Sequence, residues 1–266
     1  VRRRRAVAAA VLTALVVGIA ALLSSGGAPT TGYDASFPQC PSSVPAHPLF
    51  GIVGVNGGRA NTANPCLRDE LTWARGAPGQ RAPDQPALSL YINTGNPGGH
   101  PVSDFPRSGV AAPYGVCNGK LTDACSYLYG QARARYSYHL VAAAAPGAAR
   151  AAPWWLDVEL MATWAGTYEL NIAALRGFIN GLRRAGATGP IGIYSTAAQW
   201  RDITGLTAVT TPAAFHGALR DWVAGTTATE RQAQANCQRG GFTGLAPTLA
   251  QYRVGPFDAD LRCPAT

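Results

Sequence analysis

A single (β/α)8 barrel of TIM type, an α/β fold somewhat irregular in its connections and preceded by a secretory signal peptide, is the fold class that the sequence predicts. Three observations point to it. Eight short β-rich runs occur along the body, helical stretches fall between many of them, and no Ser/Gly linker or internal repeat divides it. Residues 29–266 also suit the ~250 residues that such a barrel occupies.

The β-rich runs lie at 33–36, 50–56, 88–93, 154–160, 191–196, 221–224, 248–252 and 257–261. Their alternation with helix argues for parallel βα units. The clearest helix spans 168–185. There Ile172, Leu175, Ile179 and Leu182 recur at i, i+3, i+7 and i+10, and Gly186 stands where a C′ residue belongs. Helix is also expected after Asn64, over 126–144 and over 229–237.

The N-terminus reads differently. VRRRR precedes an apolar run from Ala6 to Leu23 and a small-residue tail, SSGGAPT. Basic, then apolar, then small is the order of a secretory signal peptide, expected over 1–28 ahead of a barrel domain at 29–266. Cleavage after Ala28 places small residues at Gly26 and Ala28, and cleavage after Gly27 avoids a bond that precedes Pro29. The apolar run is just long enough to cross a bilayer, so an uncleaved anchor is the alternative. It is also the only membrane attachment expected. In both cases the body is exported, secreted or held in the cell envelope, and is expected to be a monomer.

A chain that is 47% hydrophobic and 14% charged buries a full core, which excludes disorder as its main description. The net charge of +8 owes much to Arg2, Arg3, Arg4 and Arg5, and every base except Lys120 is arginine. That pattern is no phosphate-binding design, and nucleic acid is not an expected partner. No G-x-S-x-G elbow, P-loop or dinucleotide fingerprint occurs. Six cysteines, Cys40, Cys66, Cys117, Cys125, Cys237 and Cys263, imply disulfides in an exported chain. Sequential pairing is the simplest arrangement. With no C-x-x-C and with His47, His100, His139 and His216 scattered, neither a metal nor a cofactor is expected.

The acids are sparse, so their placement is informative. Asp34 in GYDAS, Asp157 and Glu159 in WWLDVEL, and Asp258 and Asp260 in FDADL lie in or beside expected strands. A period of two sets Trp155, Asp157 and Glu159 on one face and Trp154, Leu156, Val158 and Leu160 on the other, apolar face. In a barrel the apolar face meets the helices. The carboxylates then point inward near the C-terminal end of the strand, where barrel enzymes place their chemistry. Carboxylates at i and i+2 have Cα atoms roughly 6.5–7 Å apart, and each raises the other's pKa, a route to a neutral acid beside an ionised base. The first and last strands are neighbours in a closed barrel, so Asp34 and Asp258 converge from the other side. Inward aromatic candidates for a binding cleft are Tyr91, Trp155, Tyr194, Trp222 and Tyr252, with Asn93 beside them. A Gly- and Pro-rich segment from Thr94 to Thr122 is long enough to wall a groove or to be an insertion without ligand contact.

At these residues the pattern resembles glycoside hydrolase family 25, the barrel-shaped lysozymes that cut peptidoglycan. GYDAS with Gln39, LDVE, IGIYST followed by Trp200, DWVAG, AQY and FDAD are similar to six family segments and stand in the family's order. The resemblance implies Glu159 as the general acid, Asp157 as stabiliser of oxocarbenium charge or as the group that orients a 2-acetamido substituent, and Asp34 and Asp258 as the rest of an acidic floor. Asp260 falls where the family has Asn, and either it or Asp258 reaches substrate. The implied ligand is a cell-wall glycan. GVNGGR lacks the family's Lys, Ile92 replaces its His and Ala250 its Trp. These departures motivate an alternative, a non-catalytic exported barrel that binds glycan or a surface partner. The chain also resembles the glycoside-hydrolase-like barrels of unknown function found in exported bacterial proteins.

Overall fold

A computed structural model describes residues 31–40, 43–79, 85–97, 104–215 and 220–264. The expected leader over 1–28 and its cleavage sites lie outside the described residues, as do His100 and His216. Eight strands close a barrel, and each coincides with one of the β-rich runs. They begin with β1 (Gly32–Ala35), β2 (Gly51–Gly54) and β3 (Leu88–Asn93). A separate ribbon follows, β4 (Gly109–Ala111) and β5 (Gly115–Cys117). The barrel then continues with β6 (Trp154–Asp157), β7 (Ile191–Ser195), β8 (Arg220–Val223), β9 (Pro247–Val254) and β10 (Phe257–Arg262).

Around the barrel the order is β1-β10-β9-β8-β7-β6-β3-β2. Seven strands run parallel, whereas β10 runs antiparallel to both β9 and β1. The wholly parallel barrel expected from the alternation is therefore corrected at its last strand. Gly255 and Pro256 alone join β9 to β10, and two residues make a hairpin but not a crossover. Gly255 turns the chain at a φ of 57°, a conformation open to glycine.

The helices are α1 (Leu67–Arg75), α2 (Asp123–Ala144), α3 (Pro146–Ala151), α4 (Tyr168–Ala185), α5 (Ala197–Thr204), α6 (Thr211–Phe215) and α7 (Glu230–Gln238). Their starts carry caps: Thr122 Oγ1 accepts from the Cys125 N–H, Thr196 Oγ1 from the Gln199 N–H, and Thr229 and Gln232 form a capping box. Gly186 closes α4 in the left-handed region, at a φ of 117°. None of the helices among the described residues is long and apolar enough to cross a membrane.

Strand alternation sorts the core into two layers. Val53, Leu90, Ile92, Trp154, Leu156, Val158 and Ile193 pack outward against the helices. Phe50, Ile52, Trp155, Tyr194, Trp222 and Leu249 fill the lumen. Gly192 makes room there: a Cβ on it would lie 2.3 Å from the Trp155 ring. The strand expected over 154–160 stops at Asp157, after which the chain turns and the Glu159 carbonyl accepts from the Ala162 N–H. Val158 still packs outward, but Leu160, expected on the apolar face, is 57% exposed.

Cys40–Cys66, Cys117–Cys125 and Cys237–Cys263 are bonded, the sequential pairing. The first ties the turn after β1 to the start of α1. The second closes the insertion after β3. Of that insertion, 98–103 lie outside the described residues; its ribbon packs through Ala111 and Cys117 on Ala124, Cys125 and Tyr127 of α2 and Ala173 of α4. Arg176 of α4 donates to the Tyr114 hydroxyl at 2.8 Å. The ribbon thus covers helices and does not wall the lumen.

Candidate active site

The site is assembled at the end of the barrel where the parallel strands finish. From β6, Trp155 and Asp157 point into the lumen, and Glu159 follows two residues beyond the strand. Burial removes both carboxyls from water and raises their pKa values. Asp157 is 7% exposed and is held well above the usual carboxylate range by burial and by the charge of Glu159. Glu159 is half-buried, and burial, together with the charge of Asp258, pushes it up against a hydrogen bond from Gln199.

Amides orient these acids. Asn93 Nδ2 donates to Asp157 Oδ2 at 2.5 Å, and the Asn93 N–H donates to Asn56 Oδ1 at 2.8 Å. Asn56 in turn donates to Ser137 of α2. Gln199 of α5 accepts from the Leu160 N–H at 2.7 Å, and its Nε2 faces Glu159 Oε1 at 3.4 Å. The Trp164 indole donates to the Glu159 carbonyl at 2.8 Å, which fixes the turn that carries the acid.

Across the lumen, Asp34 of β1 accepts from Gln251 Nε2 at 2.8 Å, and Gln251 Oε1 accepts from the Tyr194 hydroxyl at 2.9 Å. Burial, then the charge of Asp258, raises the Asp34 pKa. Asp258 stands at the rim and pairs with Arg253 at 2.8 Å. Asp34 raises Asp157, and Asp258 raises Glu159. The four acids therefore lie within one electrostatic neighbourhood, drawn from β1, β6 and β10.

Of the remaining sequence candidates, Tyr91 reaches the lumen half-buried and meets the Trp222 ring edge-on at 6.1 Å. Trp222 also contacts Trp155 and Tyr194, so these three rings form the floor beneath the acids. Asn93 is present too, engaged with Asp157. Asp260 lies deeper than expected for a residue that reaches substrate: it is 1% exposed, below Asp34. Tyr252 requires a correction. It points outward among Ala233, Cys237 and Cys263, because Leu249 and Gln251 occupy the inward positions of β9. Sequence reasoning missed Asn56, Gln199 and Gln251. Gln251, inside AQY, and Asn56, inside GVNGGR, belonged to segments already singled out.

Beside the acids, the loops after β2, β3 and β6 enclose a cavity of about 280 Å³ lined by Arg59, Thr94, Asn96 and Met161 among others. Among the described residues no group of three or more His, Cys, Asp or Glu is arranged to hold a metal ion. What the centre offers is a half-buried acid with a raised pKa, a second carboxylate held by an amide, and an aromatic floor. That combination suits proton transfer to a leaving oxygen beside developing positive charge.

A barrel with acids at this end defines a class of fold, and comparison with known proteins places it more closely. No protein-family model matches the chain, and no curated protein matches it in sequence. Among solved structures, a muramidase from Trichobolus zukalii has a TM-score of 0.51 and 13% identity, covering 89% of this chain and 94% of its own. The bacterial lysozyme from Streptomyces coelicolor also gives 0.51, with 18% identity over 90% of this chain and 94% of its own. An uncharacterized B. stearothermophilus protein gives 0.48, with 15% identity over 87% and 94%. The chain thus has a barrel fold similar to that of the first two, a muramidase and a lysozyme.

Proposed function

We propose that this chain is a secreted glycoside hydrolase of the family 25 lysozyme type, acting on peptidoglycan or a related amino-sugar polymer. Glu159, protonated, gives its proton to the glycosidic oxygen as the bond from that oxygen to the anomeric carbon breaks, and the bonding electron pair stays on the oxygen. Asp157 stabilises the positive charge left on the sugar, directly or by orienting a 2-acetamido group. Water then adds to the anomeric carbon and returns a proton to Glu159. Asp34 and Asp258 complete the acidic floor, and Tyr91, Trp155, Tyr194 and Trp222 provide the aromatic surface for sugar rings. Export is supported by three disulfides, which persist in oxidising compartments.

The observation that carries this reading is the placement of Asp157 and Glu159 at the end of β6, one held by Asn93 and the other raised. Two departures from the family pattern, Ile92 and Ala250, are buried on outward faces, so they take nothing from the lumen. The test is release of reducing ends from purified peptidoglycan. Glu159→Gln should lower it by about 100-fold or more, the usual worth of a general acid, while co-sedimentation with the polymer persists.

A second reading, a barrel that binds glycan without turnover, draws on the burial of Asp157 at 7% exposure. Co-sedimentation with no release by the unaltered protein anywhere between about pH 4 and 8 would favour it.

A further inference from the structure

Asp260 is unused by the proposed hydrolysis, and its surroundings are unusual. It sits on β10 opposite Gly32 of β1 and Gln251 of β9, with both carboxyl oxygens enclosed and neither accepting a hydrogen bond. The Trp222 indole, whose N–H is also unsatisfied, and the Asp34 carboxyl are the polar groups that face it from β8 and β1. On its own strand, Asp258 is committed to Arg253 of β9. Tyr252 of β9 is on the opposite strand face.

An ionised carboxylate placed there would carry two enclosed, unsatisfied oxygens facing a second carboxyl, among the least favourable environments for a charge. A proton relieves this. Asp34 accepts from Gln251, whereas Asp260 accepts from nothing, so the proton belongs on Asp260 and the pair's single charge on Asp34.

We propose that Asp260 is a positioning residue, kept as a neutral carboxylic acid beneath Asp34, where it supplies the donor that orients Asp34 and leaves it the charged member of the pair. This rests on the glycosidase reading for its consequence in activity, but not for the protonation itself. Burial and the charge of Asp34 both act on Asp260 in the required direction, holding it well above the usual carboxylate range. Ionisation of Asp260 at alkaline pH would set two facing carboxylates against each other and end the arrangement. An amide of the same shape cannot ionise.

The experiment uses the full chain in its disulfide-bonded form, with 13C-labelled aspartate carboxyls. At neutral pH Asp260→Asn should remove one resonance that has the shift of a protonated carboxyl. A normally titrating, ionised resonance assigned to Asp260 overturns the proposal. This readout needs no turnover, so an inactive but well-folded protein sinks the glycosidase reading and leaves this one to the spectrum. In activity, Asp260→Asn should stay within about threefold of the unaltered protein, while Asp260→Ala, shown folded by circular dichroism, should lose at least about tenfold. Equal losses for Asn and Ala would contradict the positioning role.

Discussion

Each acid of the site depends on the neighbour that holds it. Asn93 donates its amide to Asp157 while its own backbone N–H is held by Asn56, so the donor is aimed before any substrate arrives. Removing that amide in Asn93→Ala withdraws the hydrogen bond that lowers the Asp157 pKa, so Asp157 rises further. The acid limb of a plot of kcat/KM against pH should then move to higher pH, and kcat should fall by about 10- to 100-fold, the worth of a hydrogen bond to a charged group. An unchanged limb would remove Asp157 from the chemistry. The acids themselves were legible in the sequence, because carboxylates at alternate positions of an apolar strand are costly to bury and stand out against their neighbours. The amides were not, since Asn and Gln carry no charge and recur in loops. Tyr252 shows the limit of alternation: a short strand has a period but no phase until its neighbours are known, and the polar Gln251 took the inward place.

Elements bring these residues together, and the closest packing in the described residues joins α2 to α4. A Cβ on Gly177 would lie 2.0 Å from the Tyr127 carbonyl oxygen, and one on Gly130 at 2.0 Å from that of Ala174. Because these obstacles are backbone atoms, Gly177→Ala must separate the helices. A loss of about 1–3 kcal/mol is expected in urea unfolding followed by circular dichroism, and an unchanged midpoint would contradict the packing described. The Cys40–Cys66 bond closes a sequence separation of 26 and anchors the turn that follows Asp34. Its loss in a Cys40→Ser, Cys66→Ser double variant should lower stability by roughly 2–4 kcal/mol in the same measurement. Strands and long helices were readable because their apolar period repeats. The missed α3, α5 and α6 are short, and α3 is Ala-rich with no apolar stripe to repeat. The reversal of β10 had a signal in the two-residue Gly-Pro connection, which outweighs the alternation that suggested a parallel barrel.

For the whole molecule, buried acids shape the response to pH. Glu70 and Asp221 are each raised to about 7, chiefly by burial. A carboxyl with a raised folded-state pKa binds its proton more tightly folded than unfolded. Its stabilising contribution is therefore fully present below the unfolded value near 4 and is lost as pH rises through the folded value. Urea midpoints should accordingly fall between about pH 5 and pH 8, and a rise over that window would contradict the burial of these groups. The raised acids of the site, Asp34, Asp157 and Glu159, are a local cost in stability where the chemistry is placed, as is common for functional sites. Digestion of purified peptidoglycan by the disulfide-bonded protein beside Glu159→Gln, with the products identified by mass spectrometry, bears most directly on the central claim. The account predicts muropeptides with new reducing N-acetylmuramic acid ends from the unaltered protein alone; equal release by both proteins, or none from either when both are folded, would contradict it.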